Sequence, residues 1–365
     1  MFKVHPISPL DPAGFKSNVN DWARDLGFAT LGVTDTDLAN AEPKLRRWLA
    51  DQMHGSMDYM LRSVDQRLDP GQLVVGAKRV ILVTMNYSPD DPAWIGKAWA
   101  NLDASEQAYV SRYALGRDYH KVVRSRLQKL ASKMQTHFGP FGYRVFCDSA
   151  PVMEVELAQK AGLGWRGKHT LLLSREQGSS FFIGSMLTDL DLPIDDPITD
   201  HCGRCTACID ICPTRAIVAP YVVDARLCIS YLTIEHHGAI DPQLRPLMGN
   251  RIYGCDDCQL ACPWNKFSQP MGVPDFATRN QLDDAGLIDL FCWDETQFEK
   301  RTEGSPIRRI GHERWLRNIA IALGNAKTLA PQQIVNALQG QRDHTSSIVR
   351  EHVRWAIDQQ SLRTS

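Results

Sequence analysis

The chain has 365 residues, a formal net charge of −1 and a hydrophobic fraction of 43%, all ordinary for a globular protein of two or three domains. The near-neutral charge argues against a protein that binds a polyanion over its whole surface. Residues 300–365, however, carry eleven Lys or Arg and five Asp or Glu, so this end is locally basic.

The beginning of the sequence shows no apolar signal segment, and no apolar run approaches the roughly 20 residues of a membrane-spanning helix. We therefore expect a soluble, cytoplasmic protein with no membrane partner. In a reducing compartment, ten crowded cysteines indicate metal ligands rather than disulfides.

The first 190 or so residues alternate between helical and strand patterns. Helical periodicity appears at 15–28, 43–53, 118–138 and 152–162, and strand patterns at 29–36, 79–87, 143–148, 169–174 and 180–189. This alternation predicts an α/β domain with a mixed sheet over residues 1–195, closed by an Asp- and Pro-rich boundary.

The rest of the chain divides into two further predicted units. Residues 196–275 carry most of the cysteines in short helices and turns, and residues 276–365 end in a wholly helical segment. The segment "VREHVRWAI" echoes "LRNIAIALG" about 33 residues earlier, with Arg350 in the place of Arg317. This spacing suits a helical repeat of the HEAT kind.

Two cysteine strings carry the strongest chemical signal. "CGRCTACIDICP" has the Cys-x2-Cys-x2-Cys-x3-Cys-Pro spacing of two-cluster ferredoxins, in which three thiolates hold one [4Fe–4S] cube and the fourth crosses to the other. "CDDCQLACP" nearly repeats this string. Aligned on its Cys-Pro end, it places Ile252, which cannot ligate iron, at the first ligand position.

The nearest spare thiol, Cys228, supplies the missing ligand. One predicted cluster is therefore held by Cys202, Cys205, Cys208 and Cys262, and the other by Cys212, Cys228, Cys255 and Cys258. The alternatives are paired zinc sites, which rarely use this spacing, and a purely structural cluster. Cys147 and Cys292 lie outside any motif, and we expect them to be core or surface thiols.

Asp148 follows an apolar strand and precedes a helix, a position where α/β sheets commonly place ligands. Partial burial there would raise its pKa and let it donate a proton near neutral pH. The alternative is a helix N-cap, which Asp148 or Ser149 would also satisfy. His120, in "RDYH", is rejected as an axial cobalt ligand because Val122 and Val123 stand where the cobalamin motif requires other residues.

Five segments together resemble the epoxyqueuosine reductases: "RYALGRDYH", "CDSAPVMEVELAQKAGLGWRGKHT", "CGRCTACIDICPTRAI", "CISYLTIE" and "NRIYGCDDCQLACPWN". The resemblance runs through nearly the whole chain. It implies a cobalamin-binding α/β domain, a ferredoxin-like module with two [4Fe–4S] clusters and a HEAT-like tRNA-binding domain. It further implies that Asp148 is the proton donor and that the eight paired cysteines are the cluster ligands.

The resemblance also implies the reaction and the partners. Electrons from an external single-electron donor, such as flavodoxin or ferredoxin, pass through the clusters to cob(II)alamin, and cob(I)alamin then reduces the epoxide of epoxyqueuosine at the wobble position 34 of tRNA. Separately from the resemblance, nothing in the sequence marks an oligomer interface, so a monomer is the default expectation. Its corrinoid contacts fall on Arg67, Ser111, Asp148, His169, Leu172, Ile183, Ser230, Cys255 and Asp256.

The basic helical end and one preceding loop are candidates for RNA contacts. Arginines can hold tRNA phosphates and make binding depend on salt. The candidates are Arg308, Arg309, Arg314, Arg317, Arg350, Arg354, His236 and His237. Alternatively, these arginines form a solvated repeat face, and Arg317 and Arg350 are internal packing residues.

Two rival functions share parts of this pattern. A corrinoid reductive dehalogenase has the same cofactors but usually carries an export signal and lacks a helical-repeat tail. A non-catalytic electron carrier or RNA-binding scaffold would hold clusters without binding cobalamin or turning over substrate.

Overall fold

The computed structural model describes residues 12–327 and 330–364. The strands are β1 Thr30–Thr34, β2 Arg79–Asn86, β3 Tyr109–Val110, β4 Tyr143–Phe146, β5 Trp165–Arg166, β6 Leu172–Leu173, β7 Phe181–Thr188, β8 Ile217–Ala219, β9 Val222–Val223 and β10 Arg251–Tyr253.

The helices are α1 Pro12–Asp25, α2 Glu42–Ala50, α3 Tyr59–Arg62, α4 Val64–Leu68, α5 Trp94–Asp103, α6 Tyr119–Phe138, α7 Glu154–Lys160, α8 Ala207–Ile211, α9 Ile229–Ile234, α10 Arg245–Met248, α11 Asp257–Leu260, α12 Leu287–Phe291, α13 Glu295–Arg301, α14 Gly311–Asn325, α15 Pro331–Gln339 and α16 Ser347–Thr364.

Four strands form the central sheet in the order β1-β2-β7-β4. Every neighbouring pair in this sheet is antiparallel, so the prediction of a mixed sheet is wrong for it. The predicted helices do lie between the strands along the chain. The connections nevertheless place each strand next to one that runs in the opposite direction. A parallel pair does occur elsewhere, between the short strands β3 and β10.

The sheet is covered on both faces, and this explains the continuous apolar run of β2. Ile81 and Val83 point into the core formed with α1 and α6. Val80 and Leu82 point the other way, into the core formed with α7. Successive side chains of a strand face opposite sides, so a strand buried on both faces must be apolar throughout.

The cysteine segment is built from two short helices that pack against each other, α8 and α11. Cys208 and Cys212 lie at the two ends of α8, and Cys258 and Cys262 lie around α11 in the same relation. A hairpin of β8 and β9 follows the first cysteine string. Ile252, aligned with the absent ligand, is a fully buried core residue.

The C-terminal helices share a large core with parts of the earlier chain. Residues 108–115 and 252–253 pack in the same apolar cluster as α12, α14, α15 and α16. Helices α14 and α16 pack along each other. The three predicted units therefore interlock, and the HEAT-like repeat and the domain limits stay predictions. Within residues 12–327 and 330–364, no helix has the length and apolar character needed to cross a membrane.

Candidate active site

The structure brings the first predicted set of cysteines together around one cavity. Its volume is about 360 Å³, and the lining includes Cys202, Cys205, Cys208 and Cys262. Burial, followed by the neighbouring thiols Cys262, Cys202 and Cys205, raises the pKa of Cys208 to about 11. Four thiols around one cavity are the donor set that a [4Fe–4S] cube requires.

The second predicted set lies next to the first. Burial raises the pKa of the Cys258 thiol, and the next contributions come from Cys228, Asp256, Cys208 and Cys212. Cys255 in turn is close enough to Cys258 for that thiol to add to the rise in its own pKa. Cys258 is thus near members of both sets, so the two predicted clusters would be neighbours.

Among the described residues, no three His, Cys, Asp or Glu side chains converge on a point where one metal ion would sit. The pairing of ligands remains a prediction. Cys147 is buried and Cys292 is exposed, as expected for thiols outside the motifs.

Asp148 lies two residues beyond β4, where the chain turns toward α7. Its backbone φ is +60°, a left-handed conformation that is uncommon for residues other than glycine. The residue lies deep in the molecule, yet 59% of its side-chain surface is exposed. A residue that many protein atoms surround can still have an exposed side chain if its carboxylate forms the floor of an open cleft. A reacting group must be accessible in this way.

The start of α6 supplies the partners of the Asp148 carboxylate. The Tyr119 hydroxyl donates a short hydrogen bond to Oδ2 of Asp148, and His120 Nε2 lies 3.2 Å from the same oxygen. On its other side, His120 Nδ1 is 2.8 Å from Oδ1 of Asp118, which also caps α6. Arg309 reaches in from the C-terminal segment, with Nη1 2.8 Å from His120 Nε2.

Glu154 holds the Asp148 backbone. Both oxygens of the Glu154 carboxylate accept the Asp148 N–H, at 3.1 and 3.0 Å. The buried Ser185 hydroxyl donates to Oε1 of Glu154 at 3.3 Å. A left-handed residue that keeps its N–H bonded in this way is fixed in a strained conformation by its surroundings.

The electrostatics of this network contradict one prediction. Burial acts to raise the pKa of Asp148, but hydrogen bonds from His120 and Tyr119 outweigh it and lower that pKa below its usual value. The predicted upward shift is therefore wrong. The acid with a raised pKa is Glu154, where burial and the nearby Asp148 charge raise the pKa to about 8.

His120 is the second group whose pKa is raised. Burial acts to lower the pKa of His120, but its hydrogen bonds to Asp118 and Asp148 raise it above its usual value. Glu154 therefore holds a proton near neutral pH, and His120 holds its proton to a higher pH than a free imidazole does.

Tyr59 of α3 and Arg67 of α4 lie close enough to Asp148 to feel its charge. Burial, then the charges of Glu235 and Asp148, raise the pKa of Tyr59 to about 12. Arg67 is held near Asp148 and Glu154, and its Nε is buried with no hydrogen-bond partner among the described residues. An unpartnered donor beside an open cleft suits a bulky ligand with polar substituents, such as the amide-bearing rim of a corrin.

Some predicted corrinoid contacts have no free side chain. The Ser111 hydroxyl donates a short hydrogen bond to Asp256, whose carboxylate also accepts from the Tyr109 hydroxyl at 2.9 Å and from the Arg112 N–H at 2.7 Å. Both Ser111 and Asp256 are buried. Neither side chain is therefore free to bind a ligand.

The other predicted contacts are distributed differently. Leu172 and Ile183 pack in the core beneath α7, with Leu172 only 3% exposed. His169 lines the cavity of the first cysteine set. Ser230 is half-buried and follows Cys228, whose thiol its backbone N–H approaches. Cys255 remains in the second cysteine set described above.

The predicted RNA contacts separate into exposed and internal residues. Arg308 is exposed and pairs with Glu299, Arg309 joins the His120 network, and Arg354 and His237 are exposed. The half-buried Arg314 donates to the carbonyls of Ile310, Ile234 and Arg309, and the His236 ring bonds the Ala239 carbonyl. Arg350 donates to the carbonyls of His344 and Thr345.

Arg317 cannot contact RNA, so that prediction is wrong. Its side chain is 0% exposed, and it donates to the carbonyls of Leu232, His236 and Gly238. The alternative interpretation, an internal packing arginine, is confirmed for this residue.

The sequence alone does not decide the role of three members of the site. Asp118 and Tyr119 are candidates beside His120, but a helix cap and a core residue are equally good interpretations of them, and Glu154 belongs to no motif. The short run "RDYH" at the start of a long helix was the available signal for the first two. Nothing local distinguishes Glu154 from any acidic residue in the first turn of a helix.

The fold and the grouped thiols define a two-cluster iron–sulfur protein. Residues 201–265 match the family described as "4Fe-4S double cluster binding domain". Residues 67–149 match the family described as "Epoxyqueuosine reductase QueG, DUF1730".

Similar proteins identify the family more closely. Epoxyqueuosine reductase of Pseudomonas aeruginosa is 53% identical over 352 residues, which cover 96% of both chains. That of Escherichia coli K12 is 54% identical over 355 residues, covering 97% of this chain and 92% of the relative. The chain belongs to the epoxyqueuosine reductase family.

The solved structures support the same fold. A crystal structure of epoxyqueuosine reductase with an epoxyqueuosine-modified tRNA-Tyr stem loop superposes with a TM-score of 0.83 at 23% identity, covering 96% of this chain and 91% of that one. Epoxyqueuosine reductase from Streptococcus thermophilus superposes with a TM-score of 0.79 at 23% identity, with the same coverage.

Proposed function

We propose that this protein reduces epoxyqueuosine to queuosine at the wobble position of tRNA, the last step of queuosine biosynthesis. The observation that carries the proposal is 53% identity to a named epoxyqueuosine reductase over 96% of the chain. The site agrees with this function, because the chain has an exposed carboxylate with proton-bearing neighbours and also two sets of grouped thiols.

The proposed cofactors are two [4Fe–4S] clusters and cobalamin. The clusters are assigned to the two cysteine sets. Cobalamin is assigned to the cleft between Asp148 and Arg67, with Tyr59 and Glu235 at its sides. When bound, the corrinoid would supply a strongly reducing cobalt that receives single electrons from the clusters.

The chain's own contribution is position, a proton and limited access of water. An epoxide oxygen leaves poorly as an alkoxide, so protonation of that oxygen lowers the barrier. Asp148 is the group that faces the cleft, and we assign it the transfer of the proton to the oxygen. Its lowered pKa makes it a poor store of that proton at neutral pH.

His120 is the group that can hold a proton for Asp148. It is 3.2 Å from the Asp148 carboxylate, and its own pKa is raised, so it keeps a proton beside that carboxylate to a higher pH than a free imidazole would. A protonated His120 would pass its Nε2 proton to the Asp148 carboxylate, and Asp148 would pass a proton on to the substrate oxygen. The imidazole then ends neutral and Asp148 returns to a carboxylate. Asp118 holds the opposite ring nitrogen and so fixes the orientation of the imidazole.

The tRNA would enter over the C-terminal segment. Arg309 and Arg314 both act electrostatically on Glu235, which shares the cleft with Asp148. Arg308 and His237 are exposed near them in the chain and are proposed contacts for the anticodon loop, whose bases can be splayed into a protein pocket.

The proposed organisation follows the three predicted units: residues 1–195 for cobalamin, 196–275 for the clusters and 276–365, with HEAT-like helices, for tRNA. We further propose a cytoplasmic monomer fed by flavodoxin or ferredoxin.

The test is direct conversion of the substrate. Protein rebuilt anaerobically with iron and sulfide would be given cobalamin, a strong reductant and tRNA that contains epoxyqueuosine. Mass spectrometry of the digested nucleosides should show the loss of one oxygen. Binding of cobalamin without turnover, or turnover without cobalamin, would each contradict the proposal.

A further inference from the structure

The segment Trp165–His169 borders the first cysteine cavity from the α/β side. Trp165 is 0% exposed and packs against Cys202, Cys262 and Trp264. Its ring meets the Trp264 ring edge-on at a centroid distance of 4.9 Å. A buried indole in contact with two predicted ligands of one cluster belongs to the immediate surroundings of that cluster.

Two buried donors of this segment have no acceptor. Within the described part of the chain, neither Trp165 Nε1 nor His169 Nε2 has a hydrogen-bond partner. Buried N–H groups are nearly always bonded in folded proteins, so each of these needs an explanation. A thiolate or sulfide of a bound cluster is an acceptor that would satisfy both.

The tautomer of His169 follows from its contacts. Its Nδ1 accepts the Leu171 N–H at 3.2 Å, and burial lowers its pKa to about 4, so the ring is neutral with its proton on Nε2. This Nε2–H belongs to a residue that lines the cavity together with the four thiols.

Lys168 adds a positive charge at the same place. Its Nζ donates to the carbonyls of Gly203 and Cys205, at 2.7 and 2.8 Å, in the loop that carries the first thiols. The lysine is largely buried, so its positive charge lies close to the loop that carries these thiols.

We propose that Trp165 and His169 donate N–H···S hydrogen bonds to the cluster of Cys202, Cys205, Cys208 and Cys262 and, with Lys168, raise its reduction potential selectively. Taking up one electron makes a cluster more negative, so donors and cations favour its reduced form. Cys205 is exposed, which suits this cluster to receive the electron from the external donor. The inference rests on the cluster assignment made under the proposed function.

The test compares the reduction potentials of the two clusters by EPR-monitored titration with dithionite. The variant Trp165→Phe removes the N–H and keeps an aromatic ring. We expect about a tenfold smaller ratio of reduced to oxidised cluster at a fixed potential, ~59 mV for a one-electron couple, at one cluster only. Trp315→Phe is the matched control, because Trp315 is equally buried and donates to the Leu290 carbonyl away from the thiols.

A second variant keeps the test decisive if Trp165→Phe fails to fold. His169→Asn places an oxygen near the former Nδ1 position, where it can accept the Leu171 N–H, and deletes Nε2–H. It should lower the potential of the same cluster. Unchanged potentials in a fully loaded variant, or equal shifts at both clusters, would overturn the inference.

The experiment separates this inference from the proposed function. It uses neither cobalamin nor tRNA, so a protein that fails to turn over epoxyqueuosine can still show the selective shift. Iron and sulfide analysis of every variant establishes that both clusters are present. A wild-type protein that binds no iron would overturn the cluster assignment itself, and this inference with it.

Discussion

The Nε2 atom of His120 lies 3.2 Å from Oδ2 of Asp148. The same nitrogen is 2.8 Å from Nη1 of Arg309, so one atom has two competing partners. A neutral ring that donates from Nδ1 to Asp118 can accept from Arg309 at Nε2, whereas a protonated ring must donate from Nε2. The protonation state of His120 therefore decides whether Asp148 or Arg309 holds its hydrogen bond.

Replacement of the Asp148 carboxyl should stop proton transfer without emptying the site. Asp148→Asn keeps the size of the side chain but cannot give a proton to the substrate oxygen. We expect single-turnover rates with substrate tRNA to fall by about 10² to 10⁴. Cluster content and cobalamin binding, followed by absorption and EPR, should stay as in the wild type.

The neighbouring Ser149→Ala variant is the control for this experiment. Ser149 is exposed on the same turn, and its loss should leave the rate within about twofold of the wild type. An Asp148→Asn protein that turns over as fast as the Ser149→Ala protein would remove Asp148 from the mechanism.

The pH dependence should report the proton shared by His120 and Asp148. Because the pKa of His120 is raised above 6.5, the reservoir is full below that value and empties as the pH rises through the raised pKa. The rate of the wild-type enzyme should fall over this range. His120→Gln should be slower by about tenfold, the worth of one charge-assisted hydrogen bond, and should lose this limb of the profile.

Glu154 titrates in the same region, so the profile needs a second variant. Glu154→Gln cannot ionise but still accepts the Asp148 N–H through its amide oxygen. If the alkaline limb survives in Glu154→Gln and disappears in His120→Gln, the limb belongs to His120. The opposite pattern would assign the reservoir to Glu154.

Glu154 should also act through the backbone of Asp148. Glu154→Ala removes both acceptors of the Asp148 N–H, so the left-handed turn should relax and the rate should fall by about 10² through misplacement of the carboxyl group. Glu154→Gln should restore most of the rate. Hydrogen exchange of the 147–153 segment should speed up in the alanine variant only.

The same residue makes a prediction about stability. Folding raises the pKa of Glu154 from 4.5 to about 8, so between these values the folded protein keeps a proton that the unfolded chain releases. The contribution of this proton is full below pH 4.5 and is lost as the pH rises toward 8. Urea unfolding of the cofactor-free protein should therefore show that the free energy of unfolding of Glu154→Gln increases relative to that of the wild type as the pH rises. If the difference in free energy between the two proteins did not change with pH, the raised pKa of Glu154 would be contradicted.

The local parts of the site were predictable from sequence. The thiols are grouped by spacing within short loops, and Asp148 is placed by a strand, a turn and a helix that each have a local pattern. The partners of Asp148 were not predictable, since Tyr119 and His120 come from a helix that precedes β4 in the chain. The direction of the Asp148 pKa shift depends on those partners, so burial alone gave the wrong sign.

The error about the sheet has a related cause. Helices between strands usually indicate parallel crossovers, and that expectation also placed Asp148 at a ligand-binding edge. Here β1 and β2 are antiparallel although α2, α3 and α4 lie between them. The direction of a strand relative to its neighbour depends on how the long connection between them folds. The hydrophobic periodicity within each strand carries no information about that connection.

Arg317 supports the last prediction, because its role is structural rather than in RNA binding. It is fully buried and donates to three backbone carbonyls of the 232–238 segment, which leads from the second cysteine set toward the cleft. Arg317→Ala would leave those carbonyls buried without donors, and we expect a loss of about 3–5 kcal/mol in the free energy of unfolding. Arg354→Ala, an exposed change of the same charge on α16, should cost less than about 0.5 kcal/mol. Urea unfolding of the two variants measures this difference, and equal, small losses would show that Arg317 does not hold the segment in place.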